Sequence, residues 1–348
     1  MTTTHTGDIR VKFFGKGQPT YDRSKIISRF PGRDGVWGRC QFIFDLDCRD
    51  YDWVLVYDDL NSREGGERFS TRIEELACPR ENTLLVTTEP SSIKVYSRAF
   101  TSQFGAVLTS QEPWAIRHPN AIFSQPGLNW FYGHDYNHIR DNPPLVKTAE
   151  FSTVCSSKQQ KHTLHSLRYE FTQKLKAVMP ELEIFGHGVR PIDSKTEALD
   201  SFRYHLAIEN HLCRHHWTEK LSDSFLGLAL PFYFGCPNVF DYFPEGSVVP
   251  IDIRNFDESV ETIRRTIREN AWEKRLDLLK ESRRRVLEEY HLFAVTEKII
   301  RERHRPGVGT RGGRLLSRRA ARHQNIWTGA GHVLELANAR VRNYLATR

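Results

Sequence analysis

The segment from Ser201 to Gly235, SFRYHLAIENHLCRHHWTEKLSDSFLGLALPFYFG, constrains this chain more than any other. RYHLAIEN alternates and then runs apolar, as a half-buried or buried strand does. TEKLSDSFLGLAL places Leu221, Phe225 and Leu228 on one helical face and stops at Pro231, and PFYFG opens a second strand. The polar and aromatic chemistry lies between these elements. Glu209, Asn210, His216, Trp217, Glu219 and Lys220 therefore gather at the carboxyl end of a strand and the amino end of a helix. An open α/β sheet binds its ligands there, and a helix start offers free N–H groups and a positive dipole end to an anion.

The same alternation runs through the first half: VKFF, then WVLVYD from Trp53, TLLVTT from Thr83, AVLTS from Ala106 and AIFS from Ala121. Short apolar runs separated by polar or helical stretches predict a mostly parallel sheet with helices on its faces. GHDYNHIRDNPP, from Gly133 to Pro144, is polar and ends in a double proline, so a domain boundary is expected there. The second half repeats the scheme with FSTVCSS from Phe151, a helix over His162 to Val178, LEIFG, the segment above, and VVPIDI before Asn255. Asp257 to Arg303 reads as charged, solvated helix. The expected division is one Rossmann-like lobe over 1–145, a second over 146–304, and a helical, basic tail over 305–348. In that tail a helix from Gly331 would carry Val333, Ala337, Val341 and Tyr344 along one side.

Composition narrows the function classes. The 348 residues are 39% hydrophobic, enough for two cores, and no apolar run approaches the ~20 residues that span a bilayer. MTTTHTGDIRVKFFG has no apolar signal region. Cys40, Cys48, Cys78, Cys155, Cys213 and Cys236 have no C-x-x-C pair and read as reduced thiols. The formal charge is +7, but residues 301–348 hold eleven Arg against Glu302 and Glu335, so residues 1–300 are net negative. Basicity confined to a tail argues against a folded nucleic-acid reader, and no nucleic-acid partner is expected.

The Ser201–Gly235 segment resembles the donor-binding motif of the family 10 glycosyltransferases, the α1,3/4-fucosyltransferases, roughly F-x-L-x-F-E-N-S, a loop, then Y-x-T-E-K. This chain has Tyr204 to Asn210, a loop, then His216 to Lys220, followed by Pro231 to Gly235, Pro237 and Phe243-Pro244. His211 stands in place of the usual Ser and His216 in place of the usual Tyr. The resemblance implies a GT-B fold, two Rossmann-like lobes facing across a cleft. It also implies inverting transfer of L-fucose from GDP-fucose to a glycan hydroxyl in α1,3/4 linkage, with no cofactor and no essential divalent metal. Animal members carry a membrane anchor that is not seen here, so a cytoplasmic, bacterial enzyme is expected.

Such a transfer must take a proton from the acceptor hydroxyl and stabilise a departing diphosphate. Lys220, at the start of the motif helix, and Arg168, in the SLRYEF helix, are the expected phosphate cations, with Lys158 and Lys161 as neighbours. Glu209 and Asn210 would bind donor hydroxyls, Glu219 the ribose or fucosyl ring, and His216 the nucleotide. Glu89, after a buried-type strand and before Pro90, is the expected base and resembles the family's E-S-P-S element. Trp130 to Gly133 is a candidate acceptor platform. Asp45-Leu46-Asp47 and Asp58-Asp59 have the form of a metal-binding D-x-D, but family 10 enzymes do not need one; His211, Cys213 and His215 lack a recognised ligand spacing.

Two other readings compete: a GT-B transferase using another nucleotide sugar, and a non-catalytic membrane- or nucleic-acid-binding protein acting through the Arg-rich tail. The tail also suggests peripheral attachment to the inner face of a membrane, where a lipid-linked acceptor would be met.

Overall fold

A computed structural model describes residues 7–16, 23–62, 69–127, 132–156 and 164–346. The chain forms two compact units, one of residues 1–127 with 292–348 and the other of residues 128–291.

The first unit opens with β1 (Ile9–Gly15), α1 (Arg23–Ile27), β2 (Val36–Trp37), β3 (Cys40–Ile43) and β4 (Trp53–Tyr57). It continues through β5 (Ile73–Glu75), β6 (Thr83–Val86), α2 (Arg98–Thr101), β7 (Ala106–Thr109) and β8 (Ala121–Phe123). Seven of these strands form one sheet in the order β2-β3-β1-β4-β6-β7-β8, parallel except for the β2–β3 pair. WVLV, TLLV and AVLT are buried at every position, as parallel strands covered on both faces must be.

The second unit contains α3 (Tyr136–Asp141), β9 (Ala149–Val154), α4 (His165–Val178), β10 (Leu182–Phe185), β11 (Phe202–Ile208), α5 (Glu219–Leu226), β12 (Leu230–Phe234) and β13 (Val249–Pro250). Helices α6 (Phe256–Arg268), α7 (Ala271–Lys274) and α8 (Leu276–Glu288) follow. Its sheet, β10-β9-β11-β12-β13, is parallel throughout. Across its strands Phe232 stacks on Tyr204, with centroids 5.7 Å apart, and meets Phe151 edge to face at 5.4 Å, and α8 packs on α5.

The chain then returns to the first unit as α9 (Leu292–Arg303), β14 (Arg314–Leu316), α10 (Arg318–Arg322) and α11 (Ile326–Ala346). Phe293 of α9 stacks on Phe30 at 4.3 Å and also meets Phe13 and Phe42. Strand β14 pairs antiparallel with β5, and Leu315 is fully buried in the cluster that holds Phe14, Val56 and Phe100.

This division differs from the expected 1–145, 146–304 and 305–348. The boundary falls earlier because Tyr132, Tyr136 and Ile139 bury themselves in the second unit, where Arg283 donates to the Ile139 carbonyl. The basic segment is not a separate tail up to Arg322, because Leu315 and Ala321 complete a core. The charged stretch from Asp257 to Arg303 is helical, as expected, and is divided among α6, α7, α8 and α9. Helix α5 ends at Gly227 rather than at Pro231: Leu228 turns the chain with φ of +49°, and Pro231 lies inside β12.

Candidate functional site

In the second unit the chain runs from β9 out to β10, then crosses back over β9 to β11 and continues to β12 and β13. The strand order therefore reverses between β9 and β11, and the carboxyl ends of these two strands form the crevice in which sheets of this kind bind ligands. Val154 ends β9 and Ile208 ends β11, so Glu209 and Asn210 stand at that edge. Helix α4 begins there as well, with the Leu164 N–H donating to the Asn210 carbonyl.

Glu209 is completely buried. Its Oε1 accepts from the Thr218 backbone N–H at 2.8 Å and its Oε2 from the Thr218 hydroxyl at 2.6 Å. Thr218 in turn caps α5, its hydroxyl oxygen accepting from the Lys220 N–H. Gly235 lets this arrangement close: a Cβ at that position would lie 2.5 Å from Glu209 Cγ and closer still to the Tyr233 hydroxyl. The glycine of P-x-x-x-G is thus required by the approach of the glutamate. Burial raises the Glu209 pKa above the usual carboxylate range, opposed by the charge of Lys220, whose Nζ lies 3.8 Å from Oε2.

Lys220 Nζ also pairs with Glu219 Oε1 at 2.7 Å. Burial by itself would lower the lysine's pKa, but Glu219 and Glu209 outweigh it and hold the ammonium charged. Burial likewise works to raise the Glu219 carboxyl, and Lys220 overrides it, bringing it down to about 2. Arg168, buried on α4, donates from Nη1 to Asn210 Oδ1 at 3.0 Å, while its Nε has no partner among the described residues.

Lys220, Glu219 and Arg168 border a cavity of about 160 Å³ together with Lys195, Asp223 and His205. Lys195 pairs with Asp223 at 3.0 Å. Burial pushes the Asp223 carboxyl up to about 6, and its Oδ1 has no hydrogen-bond donor among the described residues. Burial lowers the His205 imidazole to about 3, so the ring is neutral. Ser152 gives its hydroxyl proton to the Ala198 carbonyl, so its oxygen, 2.8 Å from His205 Nδ1, must accept from the ring. Nε2 is left as an acceptor. The site thus offers three cations, an arginine N–H without a partner and one carboxyl poised to take a proton. That chemistry suits a phosphate or diphosphate.

The structure brings Arg168, Asn210, Glu219 and Lys220 to one place, as the sequence reading expected. Glu209 belongs with them but has another position: expected at donor hydroxyls, it has no exposed surface and orients α5. His216 is buried beside His211, with ring centroids 5.7 Å apart, and Trp217 packs among Tyr242, Phe243 and Tyr290. Lys158, Lys161, Trp130 and Phe131 lie outside the described residues, and Tyr132 is buried with its hydroxyl on Asp200. Glu89 belongs to the first unit, on the exposed bend after β6, where its carbonyl accepts from Gln111 Nε2 at 2.7 Å. Asp58 is neutralised by Lys94 at 2.6 Å, and Asp45 Oδ1 accepts from the Asp47 N–H in a turn. Sequence reasoning missed Lys195, Asp223 and His205. The capping box from Ser194 to Glu197, formed as its spacing allows, was the available signal that Lys195 begins a turn.

Residues 146–271 match the family described as glycosyltransferase family 10 (fucosyltransferase) C-term, a stretch that holds Arg168, the whole Glu209–Lys220 segment and Asp223. Over 80 residues the chain is 32% identical to the alpha-(1,3)-fucosyltransferase FucT of Helicobacter pylori; the aligned stretch is 23% of this chain and 16% of that relative. It is also similar to a crystal structure of an alpha1,3-fucosyltransferase with GDP, at 14% identity and a TM-score of 0.48 over 84% of this chain and 95% of that one. A crystal structure of an alpha1,3-fucosyltransferase with GDP-fucose gives 16% identity and a TM-score of 0.46 over 81% and 84% of the two chains.

Proposed function

From a carboxyl-terminal domain of the family 10 glycosyltransferases, we propose that this chain transfers L-fucose from GDP-fucose to a hydroxyl of a glycan acceptor, inverting the anomeric centre to give an α1,3 or α1,4 linkage. The observation that carries the reading is the cavity at the switch point of the second sheet, where Lys220, Arg168 and Lys195 converge on an otherwise buried space. In this reaction the acceptor oxygen bonds to the anomeric carbon as the bond to the diphosphate breaks, and the electron pair leaves with GDP. Lys220 and Arg168 stabilise the charge that grows on the leaving oxygen. Glu89 takes the acceptor proton; one base is enough for inversion. Glu209 acts through Thr218 by fixing the direction of Lys220. No metal is assigned a role.

A panel of nucleotides and nucleotide sugars in a thermal-shift experiment tests this reading. GDP and GDP-fucose should raise the melting temperature, whereas stabilisation by UDP-sugars alone would reassign the donor. Removal of residues 326–348, which spares β14 and the buried Leu315 and Ala321, should leave GDP binding by the second unit unchanged.

A peripheral location on an anionic membrane, with a lipid-linked acceptor, is the cellular setting we propose. The supporting feature is α11, whose Ile326, Trp327, Val333, Leu334, Val341 and Leu345 are exposed. At 100° per residue these fall on one third of the helix circumference, with Arg340 and Arg342 at its margins. Cosedimentation with anionic but not neutral vesicles, abolished by removing residues 326–348, is the expected result.

A further inference from the structure

The first unit holds a cavity of about 350 Å³ beside the loop that carries Glu89, a size within the range of about 300–1,000 Å³ usual for small-ligand sites. Its wall comes from two distant parts of the chain. Lys94, Gln111 and Trp114 line one side, and Glu335 and Asn338 of α11 line the other. Helix α11 is held by polar contacts: Glu335 Oε1 accepts from the Arg98 N–H at 3.0 Å, Asn343 Oδ1 accepts from the Ser91 hydroxyl at 3.3 Å, and the Arg342 guanidinium lies 5.3 Å from the Trp114 ring centre.

Two hydrogen-bond acceptors at this cavity have no donor among the described residues. Gln111 is buried; its Nε2 donates to the Glu89 carbonyl at 2.7 Å and to the Lys94 carbonyl at 2.9 Å, and its Oε1 is left unpaired. Glu335 Oε2 is likewise buried and unpaired. A buried acceptor without a donor is destabilising, and more so when charged, so the cavity calls for a ligand that brings donors. Arg98 and Arg117 also border the cavity, but two unpaired acceptors beside an indole are not met by a carboxylate, which has no proton to give at neutral pH. A polyhydroxylated ring, with hydroxyls at its edge and C–H groups on its face, meets both needs.

We propose that this cavity seats the acceptor sugar, with Gln111 and Glu335 each accepting a hydrogen bond from one of its hydroxyls and Trp114 packing against the ring. The basic carboxyl-terminal segment is then part of the acceptor site. Gln111 also ties the sugar to the reaction, because the same amide that faces the ligand holds the backbone of Glu89. The proposal rests on the transferase reading of the second unit and adds to it the residues that choose the acceptor.

The test uses the full chain and three probes, N-acetyllactosamine, lactose and N-acetylglucosamine, observed by saturation-transfer NMR and, with GDP-fucose, by initial rates. At least one probe should bind. Glu335→Gln and Gln111→Ala should each raise its Kd and the acceptor KM about tenfold, with the GDP-induced thermal shift retained. Ala337→Ser, exposed on α11 and outside the cavity lining, should match wild type. Removal of residues 326–348 should raise the acceptor Kd at least as much as Glu335→Gln, and it keeps the proposal falsifiable should a point variant fold poorly. Unchanged acceptor binding in Glu335→Gln and in the deletion, or binding of GDP without any of the three sugars, overturns the proposal and leaves the donor site standing. Failure of GDP itself to bind would instead remove the transferase reading on which it rests.

Discussion

Glu209 and Thr218 are joined twice, through the Thr218 N–H at 2.8 Å and its hydroxyl at 2.6 Å, so the end of β11 and the start of α5 are one rigid corner. The cap of α5 and the partner of a buried carboxylate are therefore the same hydroxyl. Thr218→Val keeps the side chain's shape, removes that hydroxyl and leaves Glu209 Oε2 with only the distant Lys220. Loss of an N-cap and of a hydrogen bond to a charged group should destabilise the protein by about 2–3 kcal/mol. Urea unfolding measures this, and the GDP-induced thermal shift should shrink with it because Lys220 loses its fixed direction. Wild-type stability in this variant would show that the corner is held by other contacts.

Lys220→Ala and Arg168→Ala should each remove most of the GDP-induced rise in melting temperature. Both side chains line the cavity at the switch point, and a ligand that binds only the folded state stabilises it by an amount that grows with the logarithm of its affinity. Lys220→Ala also leaves Glu219 without its 2.7 Å partner, so the carboxyl now held near 2 should rise. A full GDP shift in both variants would place the phosphates elsewhere.

The parts of this fold that were legible in the sequence are those whose signal is local. WVLVY, TLLV and AVLT are unbroken apolar runs because parallel strands are covered on both faces, and β11 with α5 was visible from its change of period. The helix end is marked in the sequence by Gly227, the C-cap, but the apolar period runs on through Leu228, which itself takes the left-handed conformation and makes the turn. The boundary was placed late because Tyr136 and Ile139 are two buried side chains in an otherwise polar segment. Strand β14 could not be seen at all. Its partner β5 lies some 240 residues away, and surrounding arginines mask Leu315, which pairing and burial alone reveal as core. Lys195 and Asp223 were missed for the same reason: only the fold brings together a pair 28 residues apart.

Glu89→Gln separates chemistry from donor binding. The side chain sits on an exposed bend in the first unit, and a base acts on the acceptor proton rather than on the donor phosphates. Transfer should fall by about 10²–10⁴, the usual cost of removing a general base, while the GDP-fucose thermal shift persists. Turnover at the wild-type rate would move the base to another carboxylate.

Asp223 should make both stability and donor affinity depend on pH. Burial lifts its carboxyl from an ordinary value of about 3.9 to about 6, against the pull of Lys195 3.0 Å away. A carboxyl whose folded pKa is raised contributes stability that is complete below the unfolded value and is lost as the pH climbs through the folded one. Stability from this group therefore declines between about pH 4 and pH 6, and Asp223→Asn should remove that slope. Donor binding follows the same sign. A diphosphate in a cavity shared with Glu219 and Asp223 favours the protonated acid, so GDP-fucose should bind more weakly at about pH 7 than at about pH 5. The sugar nucleotide is the right probe because its diphosphate, esterified at both ends, has no proton to lose in that interval. Calorimetric titration of wild type and Asp223→Asn across the range checks the linkage: the wild-type affinity should fall with rising pH more steeply than the variant's, whereas equal slopes in the two proteins would take Asp223 out of the phosphate site.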